Sequence, residues 1–460
     1  MTRALLDRDA VLAAGLGAIR SEFAVPTGFP PEVLAAAEAA SRRVPDAHRD
    51  RTAIPFVTLD PASSTDLDQA FAIEASGGDL LLHYAIADIG WFVEDGDAID
   101  REAWARGETL YLPDGKAGLY PPVVAEGAAS LLPDGPRPAI VLTTRIALDG
   151  RGRIDSVERA LIRSRAKLAY DAVRPADLPP DFPEIGRRIR AAEAARGATQ
   201  VDPPDQEVVH AADGRLTLAF RPLLESERDN AALSLATNMA VADLLYAHAT
   251  GLFRVMEGPD AVAVARLRGE ATALGLDWPA ATTLAEFERT LDAREPAQAT
   301  MMLAIRRAGG GARYEAYRAD VVPWHAAVAA RYAHATAPLR RLADRYVLDA
   351  ALAVANGRPV SEATTQAFAR LPKVMATADA RAGRIDRAVV DLAEAAMLEG
   401  REGERFTAVV TDIDDRGVRI RLTDLPILAR VDAGGRAPGD TLTVRLTVAD
   451  PAARRITFVV

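Results

Sequence analysis

Three aspartates stand within nine residues in the stretch FVTLDPASSTDLDQAF, positions 56–71: Asp60, Asp66 and Asp68. Asp60 closes an apolar, strand-like run, the bending residues PASST follow, and a neutral Gln69 comes directly after Asp68. Carboxylates this close repel one another unless something positive lies between them. Oxygen ligands converging on a loop after a strand suit a hard cation such as Mg²⁺ or Mn²⁺, which accepts one or two carboxylates and completes its shell with water and phosphate. Two such ions can bracket a scissile phosphate. The spacing is not that of a calcium-binding EF-hand, which needs acids at alternate positions and a late glutamate. A solvated acidic turn would show the same spacing, so the reading depends on what else the chain brings to the acids.

Two further segments favour phosphate chemistry. In RYAHATAPLRRLADRYV, positions 331–347, Pro338 stands at an expected helix start and Arg340 and Arg341 follow. A helix N-terminus with guanidinium groups is a natural phosphate grip, and Thr336 is placed to bond a phosphate or to cap that helix. In GETLYLPDG, Tyr111 lies in a turn-flanked segment and offers a ring on which a base can stack. The six histidines form no HxxxH pair, so zinc is not expected, and His334 reads as structural. Asp88, in IADIGW, reads either as a further acid of the site or as a buried strand-end carboxylate.

The elements that must position these residues are legible in outline. Residues 3–24 and 30–44 have helical spacing and together suggest a small helical unit, helix-turn-helix in shape. From about residue 52, AIPFVTL, LLLHYAIADI and AIVLTTRIAL read as strands. Helical patterns dominate from about 222 to 400, with a loop at Gly309–Gly311. After Gly403 the chain returns to alternation with turns at DDRG and DPAA, which suggests a small closed barrel with an OB fold. Arg405, Arg416, Arg419 and Arg421 could form a stripe along it that tracks a nucleic-acid backbone. The expected divisions are 1–50, a helical unit; 51–400, a mixed domain; and 401–460, the barrel.

The bulk numbers set bounds. A chain of 460 residues has room for two or three domains. No apolar run approaches the roughly 20 residues of a membrane span, and the N-terminal stretch reads as no signal peptide. The absence of cysteine rules out disulfides and thiolate metal sites and fits a reducing cytoplasm. The net charge of −10 speaks weakly against a general nucleic-acid binder but leaves room for a basic site inside an acidic protein. Only Lys116, Lys167 and Lys373 are lysines, a skew toward arginine that GC-rich coding explains.

FVTLDPASSTDLDQAF resembles the TIDxxxxxDxDDA signature of the ribonuclease II/ribonuclease R family, and YAHATAPLRRLAD resembles its YxxFTSPIRRYxD segment. LHYAIADIGWFV, TLYLPDG and LIRSRAKLAYDAV match further family segments in the right order, over about residues 52–400. The resemblance implies an α+β protein: a large mixed catalytic domain of the ribonuclease II type followed by an RNA-binding OB barrel. It implies a cytoplasmic, Mg²⁺-dependent (Mn²⁺ as alternative) hydrolase that degrades single-stranded RNA from its 3′ end to nucleoside 5′-monophosphates. Metal ligands would then be Asp60, Asp66, Asp68 and the neutral Gln69, and Asp68 would be the acid closest to cleavage. Arg340 would contact the scissile phosphate, with Arg341 and Thr336 beside it on the RNA, and Tyr111 would stack the 3′ bases. A monomer without an obligate protein partner and without a membrane role is expected.

There are departures from the family pattern. Gln69 replaces its fourth acid, a glutamate pair falls on Ala231 and Ala232, and a late glutamate falls on Asp386. About 50 helical residues stand where the family carries a pair of cold-shock barrels. Rival readings are an RNA-binding member with catalysis weakened or lost through Gln69, and a nuclease of other polarity or sugar preference.

Overall fold

Strand β2 (Phe56–Asp60) is a run of four buried residues, Phe56, Val57, Thr58 and Leu59, ending on Asp60. A strand without polar alternation must be covered on both faces, and this one is. The computed structural model describes residues 3–198, 206–210, 216–220, 224–292, 295–414 and 417–460. Its first elements are helices α1 (Arg3–Glu22) and α2 (Pro31–Ala40) and strand β1 (Arg49–Asp50), which precedes β2. After β2 come β3 (Gln69–Ser76), β4 (Asp79–Ala87), β5 (Leu110–Leu112), β6 (Gly115–Ala117), β7 (Arg137–Ile146), β8 (Gly152–Ile162) and β9 (Ser164–Ala169). Seven of these nine form one mixed sheet in the order β1-β8-β7-β4-β3-β2-β9. Only the β1–β8 and β2–β9 pairs are parallel; β5 and β6 make a separate hairpin. The helices Phe182–Arg196, Glu225–Ala247 and Leu342–Ala355 pack on the sheet and share its apolar core.

The two N-terminal helices exist as expected, but among the described residues they do not share a core. Leu12, Leu16 and Ile19 of α1 cluster with Ile385, Val389 and Leu392 of the long Glu362–Leu398 helix. Gly15 permits this approach: a Cβ there would fall 2.5 Å from a methyl of Leu392. Val33, Ala37 and Ala40 of α2 instead join the main core. Each helix docks on a different part of the body.

The C-terminal strands Arg405–Asp414, Gly417–Leu422, Leu428–Val431, Thr441–Asp450 and Arg455–Val459 form one antiparallel sheet. Its edge strands, Leu428–Val431 and Arg455–Val459, lie against each other, so the sheet curls into a nearly closed barrel of the OB type. Arg416 lies outside the described residues. Asp412 is partly buried and pairs with Arg307 at 3.4 Å. Among the described residues no helix is long and apolar enough to cross a membrane.

Glu394 ties the long helix to the barrel. Its Oε1 accepts hydrogen bonds from Leu428 N at 3.0 Å and from Gln206 Nε2 at 2.7 Å. Burial pushes its carboxyl up to about 7. The folded chain therefore holds a proton that the unfolded chain has released, and stability falls as the pH rises from the ordinary glutamate range through about 7. Glu394→Gln is expected to flatten this part of the profile and to raise the melting temperature above that pH, which thermal melts across a pH series would measure.

Candidate active site

The loop 61–68 joins β2 to its antiparallel neighbour β3, so Asp60 and Asp68 stand at its two ends. The loop is pinned from below. Ser130 Oγ donates to Thr65 O at 2.7 Å and accepts from Leu67 N at 2.9 Å; Ala87 N donates to Asp68 O at 2.8 Å. Such anchoring holds the carboxylates before any ligand arrives.

Asp68 is buried, 5 % exposed. Its Oδ1 accepts from Leu339 N at 2.7 Å, and its Oδ2 lies 3.3 Å from Arg340 Nε. Burial outweighs these partners and pushes the carboxyl up to about 7. Asp60 is pushed up to about 6, again by burial, with Arg340 and Lys167 opposing and Asp66 adding to the rise; its Oδ2 is buried with no hydrogen-bond partner. Asp66 sits nearer the surface, 2.7 Å from Lys116 Nζ. Tyr111, half exposed, brings its hydroxyl to 3.5 Å from Asp66 Oδ2.

Arg340 reaches the acids from a turn, not from a helix start. The helix begins at Leu342, four residues after Pro338. Asp344 explains the delay: its carboxylate accepts from Ala337 N at 2.8 Å and from both Nε and Nη2 of Arg341 at 3.0 and 2.8 Å. The turn so formed aims Leu339 N–H and the half-exposed Arg340 side chain at Asp68. Thr109 N donates to Arg340 O at 3.0 Å, which brings the strand carrying Tyr111 beside this turn.

Two residues expected on RNA have other partners. Arg341 is committed to Asp344. Thr336 is 3 % exposed and bonds Ser234 Oγ at 2.8 Å and Asn238 Nδ2 at 3.2 Å. Both brace the turn. Gln69, expected as a neutral ligand, accepts the Tyr84 hydroxyl at 2.5 Å on its Oε1 and is thereby drawn toward the sheet. Asp88 is the buried strand-end acid: its Oδ2 lies 3.0 Å from His48 Nε2 and 2.8 Å from Arg159 Nε. His334 is partly buried against the Tyr314 hydroxyl at 2.7 Å, and desolvation holds its imidazole well below the ordinary range. No acid occupies Ala231 or Ala232, and Asp229 nearby pairs with Arg190.

The sequence reading missed several neighbours. Lys167, on β9 beside β2, donates to Ala62 O at 2.8 Å. Lys116 is the cross-strand partner of Tyr111. Glu126, in a π-helical turn (Val124–Ala128), accepts from Thr65 Oγ1 at 2.7 Å. Tyr170 N donates to Asp60 O at 3.2 Å, and its hydroxyl accepts from Asn230 at 2.8 Å. The available signal was the lysines themselves: two of only three in the chain stand at this loop.

Among the described residues no three acidic or histidine side chains stand together as a ready-made metal cage. The donor set nevertheless fits a divalent ion. Asp60 has an orphaned buried oxygen, and burial holds both Asp60 and Asp68 far above the usual carboxylate range despite Arg340. Two carboxylates completed by water and phosphate oxygens are what Mg²⁺ takes.

Residues 48–354 match the RNB domain, and residues 404–460 match the RNase II-type exonuclease C-terminal S1 domain. The chain belongs to the RNB-domain family. Among curated relatives, Ribonuclease R of Aquifex aeolicus is 25% identical over 434 residues, covering 88% of this chain and 61% of the relative. Exoribonuclease 2 of Klebsiella pneumoniae is 30% identical over 419 residues, covering 84% and 62%. The chain thus spans about three-fifths of the length of these relatives. Among solved structures, Mycoplasma genitalium RNase R in complex with ribose-methylated single-stranded RNA aligns with TM-score 0.87 at 19% identity, covering 97% of this chain and 78% of that one. Yeast Ssd1, described as a pseudonuclease, aligns with TM-score 0.68 at 18% identity, covering 88% and 52%. At these identities the likeness fixes the fold alone, and RNB folds include both an RNase and a pseudonuclease.

Proposed function

We propose that this RNB-domain protein is a cytoplasmic 3′→5′ exoribonuclease that uses Mg²⁺ to hydrolyse single-stranded RNA to nucleoside 5′-monophosphates. The observation that carries this reading is Asp68: a buried carboxylate gripped by Leu339 N–H, facing Arg340, with the unpartnered Asp60 Oδ2 across the loop. Such an arrangement costs stability, and buried carboxylates with shifted protonation cluster at functional sites.

In this reading Asp60 and Asp68 hold the divalent ion, which when bound supplies Lewis acidity toward phosphate and water. Arg340 stabilises the charge that develops on the phosphoryl oxygens as water adds to phosphorus and the 3′-oxygen of the preceding nucleotide leaves. Leu339 N–H and the pinned loop keep Asp68 in place through the step. Tyr111 stacks the terminal bases, and its ring is exposed enough to do so. The barrel, 401–460, guides the strand inward, with the mixed domain 51–400 carrying catalysis.

Tyr111→Ala is expected to raise KM about tenfold, equivalent to ~1.4 kcal/mol, while changing kcat much less, because stacking is present before and during reaction. Steady-state kinetics on a short oligonucleotide would separate the two.

A second reading has one observation in its favour: Gln69 is neutral, and its carbonyl is engaged by Tyr84. The chain would then hold RNA without cutting it. A time course with 5′-labelled single-stranded RNA, in Mg²⁺ or EDTA, decides between them. A ladder shortening from the 3′ end, with monophosphates released only in Mg²⁺, supports the exonuclease. Intact RNA that still shifts on a native gel supports the binding protein. Internal cuts, or equal attack on DNA, would overturn both.

A further inference from the structure

Lys116 is the least expected group beside the acids. Its Nζ lies 2.7 Å from Asp66 Oδ1 and 3.3 Å from Glu126 Oε1. Glu126 is itself held in place by Thr65 Oγ1. The β5–β6 hairpin carries Lys116 opposite Tyr111, so one short element places both the ring and the ammonium over Asp66. In a chain whose cations are nearly all arginine, the residue here is lysine. The difference matters: an ammonium is a compact point charge that can seat between two carboxylates as a metal ion does, whereas a guanidinium is a planar fork.

Charge balance points the same way. Around loop 61–68 stand four carboxylates, Asp60, Asp66, Asp68 and Glu126, and three cations, Lys116, Lys167 and Arg340, a net of −1. One divalent ion brings the site to +1, which a phosphodiester neutralises. A second would leave a surplus of +3 before substrate binds and +2 with it bound. Gln69 removes the charge that a second ion would need, and its carbonyl is engaged by Tyr84.

We propose that Lys116 occupies, in effect, the second cation position: the site takes one divalent ion, on the Asp60–Asp68 side, while the Lys116 ammonium neutralises Asp66 and Glu126. This rests on the Mg²⁺-dependent reading above. It makes Lys116 a positioning residue, and Glu126 a carboxylate that belongs to the site through it.

The test is ion stoichiometry, measured without turnover. Mn²⁺ would be titrated into the full chain free of RNA and followed by electron paramagnetic resonance of free Mn²⁺ and by calorimetry. Wild type is expected to bind one Mn²⁺ per chain. Lys116→Met, nearly isosteric but uncharged, is expected to bind two, with dipolar broadening because paired ions in such sites lie about 4 Å apart. Lys116→Met combined with Glu126→Gln is expected to return to one. Two ions in wild type, or one in Lys116→Met, would overturn the assignment of Lys116 and leave the exonuclease reading standing. No ion in wild type would overturn the metal-dependent reading and this inference with it. Should Lys116→Met not fold, Lys116→Gln carries the same comparison, and the wild-type stoichiometry decides by itself whether two ions bind.

Discussion

Asp68→Asn is expected to lower turnover by about 10³-fold or more while leaving RNA binding and the fold intact. The carboxamide keeps the shape of the side chain and can still accept from Leu339 N–H, but it brings no charge for a cation or for Arg340. The same substitution is expected to stabilise the metal-free protein at alkaline pH. Burial pushes Asp68 up to about 7, far above an exposed aspartate. Between the ordinary aspartate range and about 7 the folded chain therefore holds a proton that the unfolded chain lacks, and stability falls as the pH rises through that window. Asparagine mimics the protonated form and escapes the loss. Melting curves without metal should show the variant above wild type at alkaline pH and converging with it in acid, while a single-turnover assay with Mg²⁺ shows activity lost. A variant less stable than wild type at alkaline pH would mean that Asp68 is held by pairing and not by function.

How much of this site the sequence disclosed depends on whether a residue's role is local. Asp60, Asp66 and Asp68 were legible because one loop carries all three, and β2 because a run of buried apolar residues ends on Asp60. Tyr111 and Arg340 were legible through the motifs around them. Lys167 was not, because only the parallel pairing of β9 with β2 brings it to the loop. Nor was Lys116, which depends on a hairpin about 50 residues downstream. The fate of Gln69 was hidden for the same reason, since its partner Tyr84 lies on the neighbouring strand. Arg341 and Thr336 misled because a basic or hydroxyl residue beside a phosphate motif looks like a contact. Asp344 and Asn238, which claim them, carry no sign in sequence of pointing inward. The N-terminal helices show the same limit at larger scale: their periodicity marks two apolar faces, not the two surfaces that receive them.

Arg340→Ala is expected to reduce kcat/KM by about 10²-fold, mostly in kcat, because the guanidinium is asked to meet charge that grows as the reaction proceeds. Its side chain is 45 % exposed, so removal leaves no cavity and the melting temperature should hold. A second consequence separates two roles that one residue combines. Arg340 is the strongest influence holding Asp68 and Asp60 toward the ionised form against burial. Without it both carboxyls hold their protons to higher pH, and the acidic limb of the pH–rate profile moves up. Arg340→Lys restores a positive charge near Asp68 but not the planar fork that grips phosphate. It should therefore return the acidic limb toward its wild-type position while leaving most of the kcat deficit. If lysine restores kcat as fully as the pH profile, then Arg340 serves only to keep Asp68 ionised. If alanine shifts neither, Arg340 does not face the reacting phosphate.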